Sequence, residues 1–248
     1  ISAAMEAVFG RHETVPTPVR PWGQGVTIDS GEFVPLNGFF ICVDLGQARD
    51  RTVIAILEYT LIPTGRQCAM TRIHLVDVKL RLRWLDQFPL DTPYTDIAQT
   101  VASVMQNGEL QERGVLVMDA SGVGRAVVDQ VRALRLKMPI VGVQITSGPA
   151  TQAPGARTGT LMNVSKAELV ERFVNIVRRG MFEVAHDCPY LEVFKKEMRG
   201  FQRLRSGTGK WQYSGKASGG TDDMLMAVMM GVTVACERHR LDRLKAAS

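Results

Sequence analysis

Of 248 residues, 45% are hydrophobic and 22% charged, a balance that supplies one sizeable core and excludes a disordered tail. Thirty basic side chains against 25 acidic leave a formal charge of +5, which permits a polyanionic partner without requiring one. Cys42, Cys68, Cys188 and Cys236 lie far apart, with no Cys-x-x-Cys pair and no histidine at ligand spacing, so the pattern argues against a zinc site or a disulfide framework and fits a reducing cytoplasm.

The chain opens at Ile1 without methionine, and Ile1-Ser2-Ala3-Ala4 lacks the basic start and apolar run of a signal peptide. It reads as a domain of a longer protein. Residues 1–38 form an N-terminal extension: the prolines of Val15-Pro16-Thr17-Pro18-Val19-Arg20-Pro21 fix a semi-rigid linker, and 24–35 carries a weak hairpin pattern around Asp29-Ser30-Gly31. The folded domain is expected over 39–248. Phe39-Phe40-Ile41-Cys42-Val43 is a buried strand, 52–59 a second, rich in β-branched residues, and 70–83 a third, alternating at Ile73, Leu75, Val78 and Leu80. Ile97, Val101, Val104 and Met105 place a helix over 94–107.

Val115-Leu116-Val117-Met118 is a further buried strand, followed by a helix over 125–137 and a strand over 140–145, a unit that implies parallel pairing. Residues 147–159 read as a mobile loop. Ser165-Lys166-Ala167-Glu168 is a capping box whose helix carries Leu169, Phe173, Ile176 and Val177 along one side. A helix over 190–204 and a hairpin within 207–218 come next, and Thr221 is expected to cap a last helix reaching about residue 244. Its apolar run, 224–236, is 13 residues long, short of the roughly 20 that cross a bilayer, so it belongs in a core.

Three acidic placements share one logic. Asp44 ends the first strand, Asp119 ends the fourth, and Asp222 with Asp223 opens the last helix, each at an element end where side chains reach the open edge of an α/β sheet. Singly, such aspartates serve turns, caps and the helix dipole. Together they would repel one another unless neutralised, and Mg²⁺ or Mn²⁺ prefers oxygen ligands. Two such ions about 3.5–4 Å apart activate a water and stabilise the leaving oxygen in phosphodiester hydrolysis, chemistry that needs few carboxylates and no histidine. His12, His74, His186 and His239 have no nucleophile in a familiar motif beside them and read as structural.

These residues carry a resemblance. Val43-Asp44-Leu45-Gly46 with Asp50-Arg51-Thr52 resembles the first acidic motif of the nuclease domain of viral DNA-packaging terminase large subunits, an RNase H-like fold. The segment 117–124, Val-Met-Asp-Ala-Ser-Gly-Val-Gly, with Val127-Val128-Asp129, resembles the second. Gly220-Thr221-Asp222-Asp223-Met224 is similar to the third, where the family usually has His-Asp-Asp; Thr221 replaces the histidine and leaves the carboxylates untouched. The resemblance spans about 39–240 and implies an α/β domain with a central mixed sheet, an antiparallel meander followed by parallel strands, flanked by helices.

It implies further that Asp44 and Asp119 bind two Mg²⁺ or Mn²⁺ ions, Asp44 as the bridge, with one or both of Asp222 and Asp223 completing the site; spacing alone does not choose between those two. Lys166, in Asn163-Val164-Ser165-Lys166, reads either as a contact to phosphate or carboxylate or as an ordinary first-turn helix residue. Asp50 reads as a turn residue, with a metal-site role as its alternative. The implied activity is metal-dependent endonucleolytic cleavage of double-stranded DNA during viral genome packaging, leaving 5′-phosphate and 3′-hydroxyl ends. By the same resemblance the portal protein and small terminase subunit are partners, and the setting is the host cytoplasm of a bacteriophage infection, at the procapsid portal vertex.

The charge has a location. Lys195, Lys196, Arg199, Arg203, Arg205, Lys210 and Lys216 stand against Glu192 and Glu197 within 190–216, an excess equal to that of the whole chain. Interleaved with Trp211 and Tyr213, they make a track for a phosphate backbone; a solvated helix face is the plainer reading. Gly122-Val123-Gly124 lacks a dinucleotide fingerprint, and Gly207-Thr208-Gly209-Lys210 runs into Trp211 and fails the P-loop pattern, so the terminase ATPase motor has no motif here. Competing readings are another RNase H-like nuclease of resolvase or transposase type, and a non-catalytic domain that docks DNA or the portal.

Overall fold

The computed structural model describes residues 25–27, 33–35, 37–46, 50–67, 74–146, 161–205, 211–214 and 221–239. Strands β1 (Gly25–Thr27) and β2 (Phe33–Pro35) pair antiparallel as the small hairpin expected ahead of the core. The period-two runs that follow build β3 (Asn37–Asp44), β4 (Val53–Gln67) and β5 (His74–Gln87), an antiparallel meander. β4 runs past the 52–59 segment because pairing resumes beyond Pro63 through a register irregularity, the kind of place where a sheet tolerates proline.

Helices α1 (Tyr94–Met105) and α2 (Gly108–Arg113) lead into β6 (Gly114–Asp119), then α3 (Gly124–Ala133), β7 (Ile140–Thr146), β8 (Leu161–Ser165) and α4 (Lys166–Arg178). β9 (Phe182–Val184), α5 (Leu191–Gly200), β10 (Gln202–Arg205), β11 (Trp211–Ser214) and α6 (Asp223–His239) complete the order. One seven-stranded sheet runs β8-β7-β6-β3-β4-β5-β9. β3, β6, β7 and β8 are mutually parallel, and β9 is parallel to β5. This is the mixed sheet read from the sequence.

Several boundaries differ from the sequence reading. α3 stops at Ala133 because Arg135 turns left-handed at φ 51°. The helix expected over 190–204 ends at Gly200, Phe201 is extended, and 202–205 becomes an arm of the hairpin with Trp211–Ser214. The hairpin sought within 207–218 therefore begins earlier. α2, β8 and β9 were not legible: α2 is one short turn system whose Asn107 side chain accepts from the Glu109 N–H, and the two strands are brief marginal ones. Val177 is 38% exposed rather than packed. The loop expected at 147–159 and the end of the last helix beyond His239 lie outside the described residues.

The sheet is buried on both faces. Phe40, Cys42, Ala55, Leu57, Val115 and Val117 pack with α6, Phe173 of α4 and Phe194 of α5. Phe39, Ile41, Val43, Ile54, Ile56 and Leu116 pack with α1, α2 and α3. α6 is buried from Met224 to Cys236, so its apolar composition is that of a core helix, and no helix of the described residues is long and apolar enough to cross a membrane. Cys42, Cys188 and Cys236 are buried, and none of them is in a disulfide among the described residues.

Candidate metal centre

β3 and β6 run parallel with Val43 opposite Met118, so Asp44 and Asp119 follow on adjacent strands at one edge of the sheet. Phe40 and Cys42, like Val115 and Val117, face the α6 side of the core, and alternation puts Asp44 and Asp119 on that side too. Asp119 is fastened twice by Ser121. The Ser121 N–H donates to Oδ1 at 2.8 Å and its hydroxyl also bonds the carboxylate, while Ser121 Oγ accepts from the Ile145 N–H of β7 at 2.9 Å.

Asp222 and Asp223 enter from the start of α6, 5% and 7% exposed. Lys166 Nζ donates to Asp222 Oδ2 at 2.9 Å. Ser165, the last residue of β8, positions that lysine by accepting from the Glu168 N–H at 3.1 Å, the capping expected from the sequence. Asp223 Oδ2 accepts from the Arg51 N–H at 3.3 Å. Gly46 packs closely against the lead into β4: a Cβ on Gly46 would lie 2.2 Å from the Asp50 carbonyl oxygen, and the Gly46 N–H donates to Thr52 Oγ1 at 3.1 Å.

Burial first, then the like charges of Asp119, Asp223 and Asp222, push the Asp44 carboxyl well above the carboxylate range, with Lys166 opposing. Burial raises Asp119, opposed by its bonds from Ser121. Asp223 is pushed up to about 6 by burial and then by Asp50, against the Arg51 N–H. So the structure brings Asp44, Asp119, Asp222, Asp223 and Lys166 into one electrostatic neighbourhood, with Asp50 beside Asp223. Among the described residues no group of three or more His, Cys, Asp or Glu side chains is arranged to hold a metal ion as placed. The donor chemistry nevertheless fits a hard divalent cation: all-oxygen side chains whose mutual repulsion a 2+ charge would relieve.

No family model matches the chain, and no curated protein matches it. Solved structures do. The large terminase nuclease of thermophilic phage G20c, crystallised with magnesium bound, superposes with a TM-score of 0.52 at 16% identity, over 81% of this chain and 86% of that one. The large terminase nuclease domain of Thermus phage P74-26 gives 0.50 at 14% identity, over 81% and 82%. This chain has the RNase H-like fold of terminase large-subunit nuclease domains.

Within that terminase nuclease fold, α5 and Phe201 adjoin the start of α6 and Lys166. Lys195, Lys196 and Arg199 are on α5, where Lys195 pairs with Glu192 at 2.7 Å. Arg203 and Arg205 lie in β10, opposite Tyr213 and Trp211, and Lys210 and Lys216 fall outside the described residues. Phe201 joins helix to hairpin: its ring stacks on Tyr213 at 6.4 Å and sits 5.6 Å from Lys166 Nζ. The base of the hairpin thus adjoins the lysine that pairs with Asp222.

Two groups escaped the sequence reading. Thr221 does not cap α6; its hydroxyl donates to Glu197 Oε1 at 2.7 Å, and Glu197 Oε2 accepts from the Leu225 N–H at 2.9 Å. In the sequence Glu197 reads only as an acid within a basic run. Its position three residues after buried Phe194, on the packed side of α5, is the signal that it has an internal partner. Ser121, inside the second acidic motif, likewise takes its role only from the bonds it makes to Asp119 and Ile145.

Proposed function

We propose that this chain is a metal-dependent endonuclease acting on double-stranded DNA, the nuclease part of a viral genome-packaging terminase. The observation that carries the reading is the gathering of Asp44, Asp119, Asp222 and Asp223 at the edge of the parallel strands, from three separate places in the chain, the ends of β3 and β6 and the start of α6. Asp44, Asp119 and one or both of Asp222 and Asp223 would hold two Mg²⁺ or Mn²⁺ ions. Such ions, when bound, supply an activated water and stabilise the leaving oxygen of an in-line displacement at phosphorus.

The chain's own residues do the rest. Asp44, whose carboxyl feels the charges of all three other aspartates, would be the ligand shared between the two ions. Ser121 orients Asp119 through two bonds, and the Arg51 N–H orients Asp223. Lys166, beside Phe201, balances Asp222 and would also meet a backbone phosphate brought to the carboxylates. Lys195, Lys196 and Arg199, with Arg203, Arg205, Lys210 and Lys216, supply the sequence-independent grip on the backbone, so binding should weaken steeply with salt. In the packaging assembly the partners would be the portal and the small terminase subunit, at the portal vertex in the host cytoplasm.

The test is cleavage of supercoiled plasmid with Mn²⁺ or Mg²⁺, beside an EDTA control and Asp119→Asn. Nicking and linearisation that require metal and vanish in the variant are expected. Folded protein that leaves plasmid intact with both metals would overturn the reading in favour of DNA or portal docking, and an Asp119→Asn variant that cuts at the wild-type rate would overturn the assignment of cleavage to these carboxylates. Branched substrates cut in preference to linear ones would instead indicate a resolvase-like nuclease.

A further inference from the structure

We infer that Glu197 is a positioning residue for the metal centre: by holding both ends of the segment that carries Asp222 and Asp223, it sets where those carboxylates stand. The inference rests on the metal reading above. Asp222 immediately precedes the first residue of α6, the place from which an aspartate ordinarily folds back onto the N–H groups of the second and third helical residues. Here those residues are Met224 and Leu225, and the Leu225 N–H donates to Glu197 Oε2 at 2.9 Å. The Asp222 carboxylate accepts from Lys166 Nζ at 2.9 Å.

The same carboxylate takes the Thr221 hydroxyl at 2.7 Å. Thr221 and Leu225 bracket the two aspartates, so one buried side chain closes the segment at both ends. Glu197 is 5% exposed, and a glutamate is buried this deeply only where partners satisfy it. This also gives a task to Thr221, where terminase nucleases usually carry histidine: it is the near end of the staple. Because Glu197 sits between Lys196 and Arg199 on α5, the helix proposed to grip DNA is also the one that sets the aspartate segment.

The experiment titrates Mn²⁺ alone, read by loss of the free-ion EPR signal, into wild type, Asp44→Asn, Glu197→Leu, Glu197→Gln and Thr221→Val, with thermal unfolding measured without metal. Removing a partner that orients a ligand typically weakens metal binding 10- to 100-fold. Glu197→Leu should raise the half-saturating Mn²⁺ by about that factor. Thr221→Val removes one bond without changing charge and should raise it by roughly 3- to 10-fold, as should Glu197→Gln, which keeps an acceptor. Variants that melt earlier yet bind Mn²⁺ within about twofold of wild type would reduce Glu197 to a structural cap and overturn the inference. If Glu197→Leu does not fold, unchanged binding in both Thr221→Val and Glu197→Gln overturns it equally. Wild type that takes up no Mn²⁺, or an Asp44→Asn variant that binds like wild type, sinks the metal reading and this inference with it. Loss in Asp44→Asn alone sinks only the role of Glu197.

Discussion

Replacing Gly231 with alanine should wedge α6 away from the sheet. A Cβ there would lie 2.3 Å from Cys42 Sγ and 2.6 Å from Leu57 Cδ1. Favourable carbon contacts lie near 3.5–4.0 Å, so about 1 Å of separation must open, at a place where Cys42 and Leu57 are both fully buried. Overpacking of this kind costs about 1–3 kcal/mol, and the helix regains up to about 1 kcal/mol from losing a mid-helix glycine. The net loss is about 1–2 kcal/mol, or roughly 2–8 °C in Tm for a chain of this size. Cys42 lies two residues before Asp44, and α6 begins with Asp223, so the same wedge acts on the spacing of the carboxylates and should raise the Mn²⁺ needed for half-saturation. Circular-dichroism melts of wild type, Gly231→Ala, Cys42→Ala and the double variant test this. Removing Sγ relieves the shorter contact, so the two changes should couple favourably by about 1 kcal/mol. Gly231→Ala melting at or above the wild-type temperature, or strict additivity in the double variant, would refute the packing argument.

Asp223, raised to about 6, favours its protonated form in the fold relative to the unfolded chain, so its contribution to stability is complete below about pH 4 and is lost as pH rises through about 6. Without metal, the Tm of wild type should therefore fall relative to that of Asp223→Asn between about pH 4 and 7; parallel melting profiles would contradict this. Lys166→Met removes the cation that pairs with Asp222 at 2.9 Å and should cost about 1–3 kcal/mol without metal, while saturating Mn²⁺ should raise the Tm of the variant more than that of wild type. Arg83 pairs with Glu58 across the β4–β5 ladder, nearly buried, so Arg83→Ala should cost about 2–4 kcal/mol in urea unfolding and the double Arg83→Met, Glu58→Leu should recover most of it.

The edge of the sheet was legible because β3 and β6 are unbroken apolar runs that each end in a single aspartate, and α6 was legible because its first half has no polar face. Those signals are local. Asp222 and Asp223 are distinguished by partners 56 and 172 residues away, Lys166 and Arg51, which no spacing in the chain reveals. Glu197 is concealed differently: its neighbours Lys195, Lys196 and Arg199 make it look like a surface acid, and its role exists only once α5 lies against the start of α6. β8 and β10 are short segments that become strands through pairing with β7 and β11, so tertiary contact rather than propensity decides them.

The central claim is that Asp44, Asp119 and the aspartates of α6 form a metal centre, and the location of Mn²⁺ tests it most directly. Anomalous diffraction from crystals soaked in Mn²⁺ should show density in contact with the carboxylates of Asp44 and Asp119 and at least one of Asp222 and Asp223, abolished in crystals of Asp119→Asn. Crystals whose Mn²⁺ sites all lie away from those four residues would contradict the account.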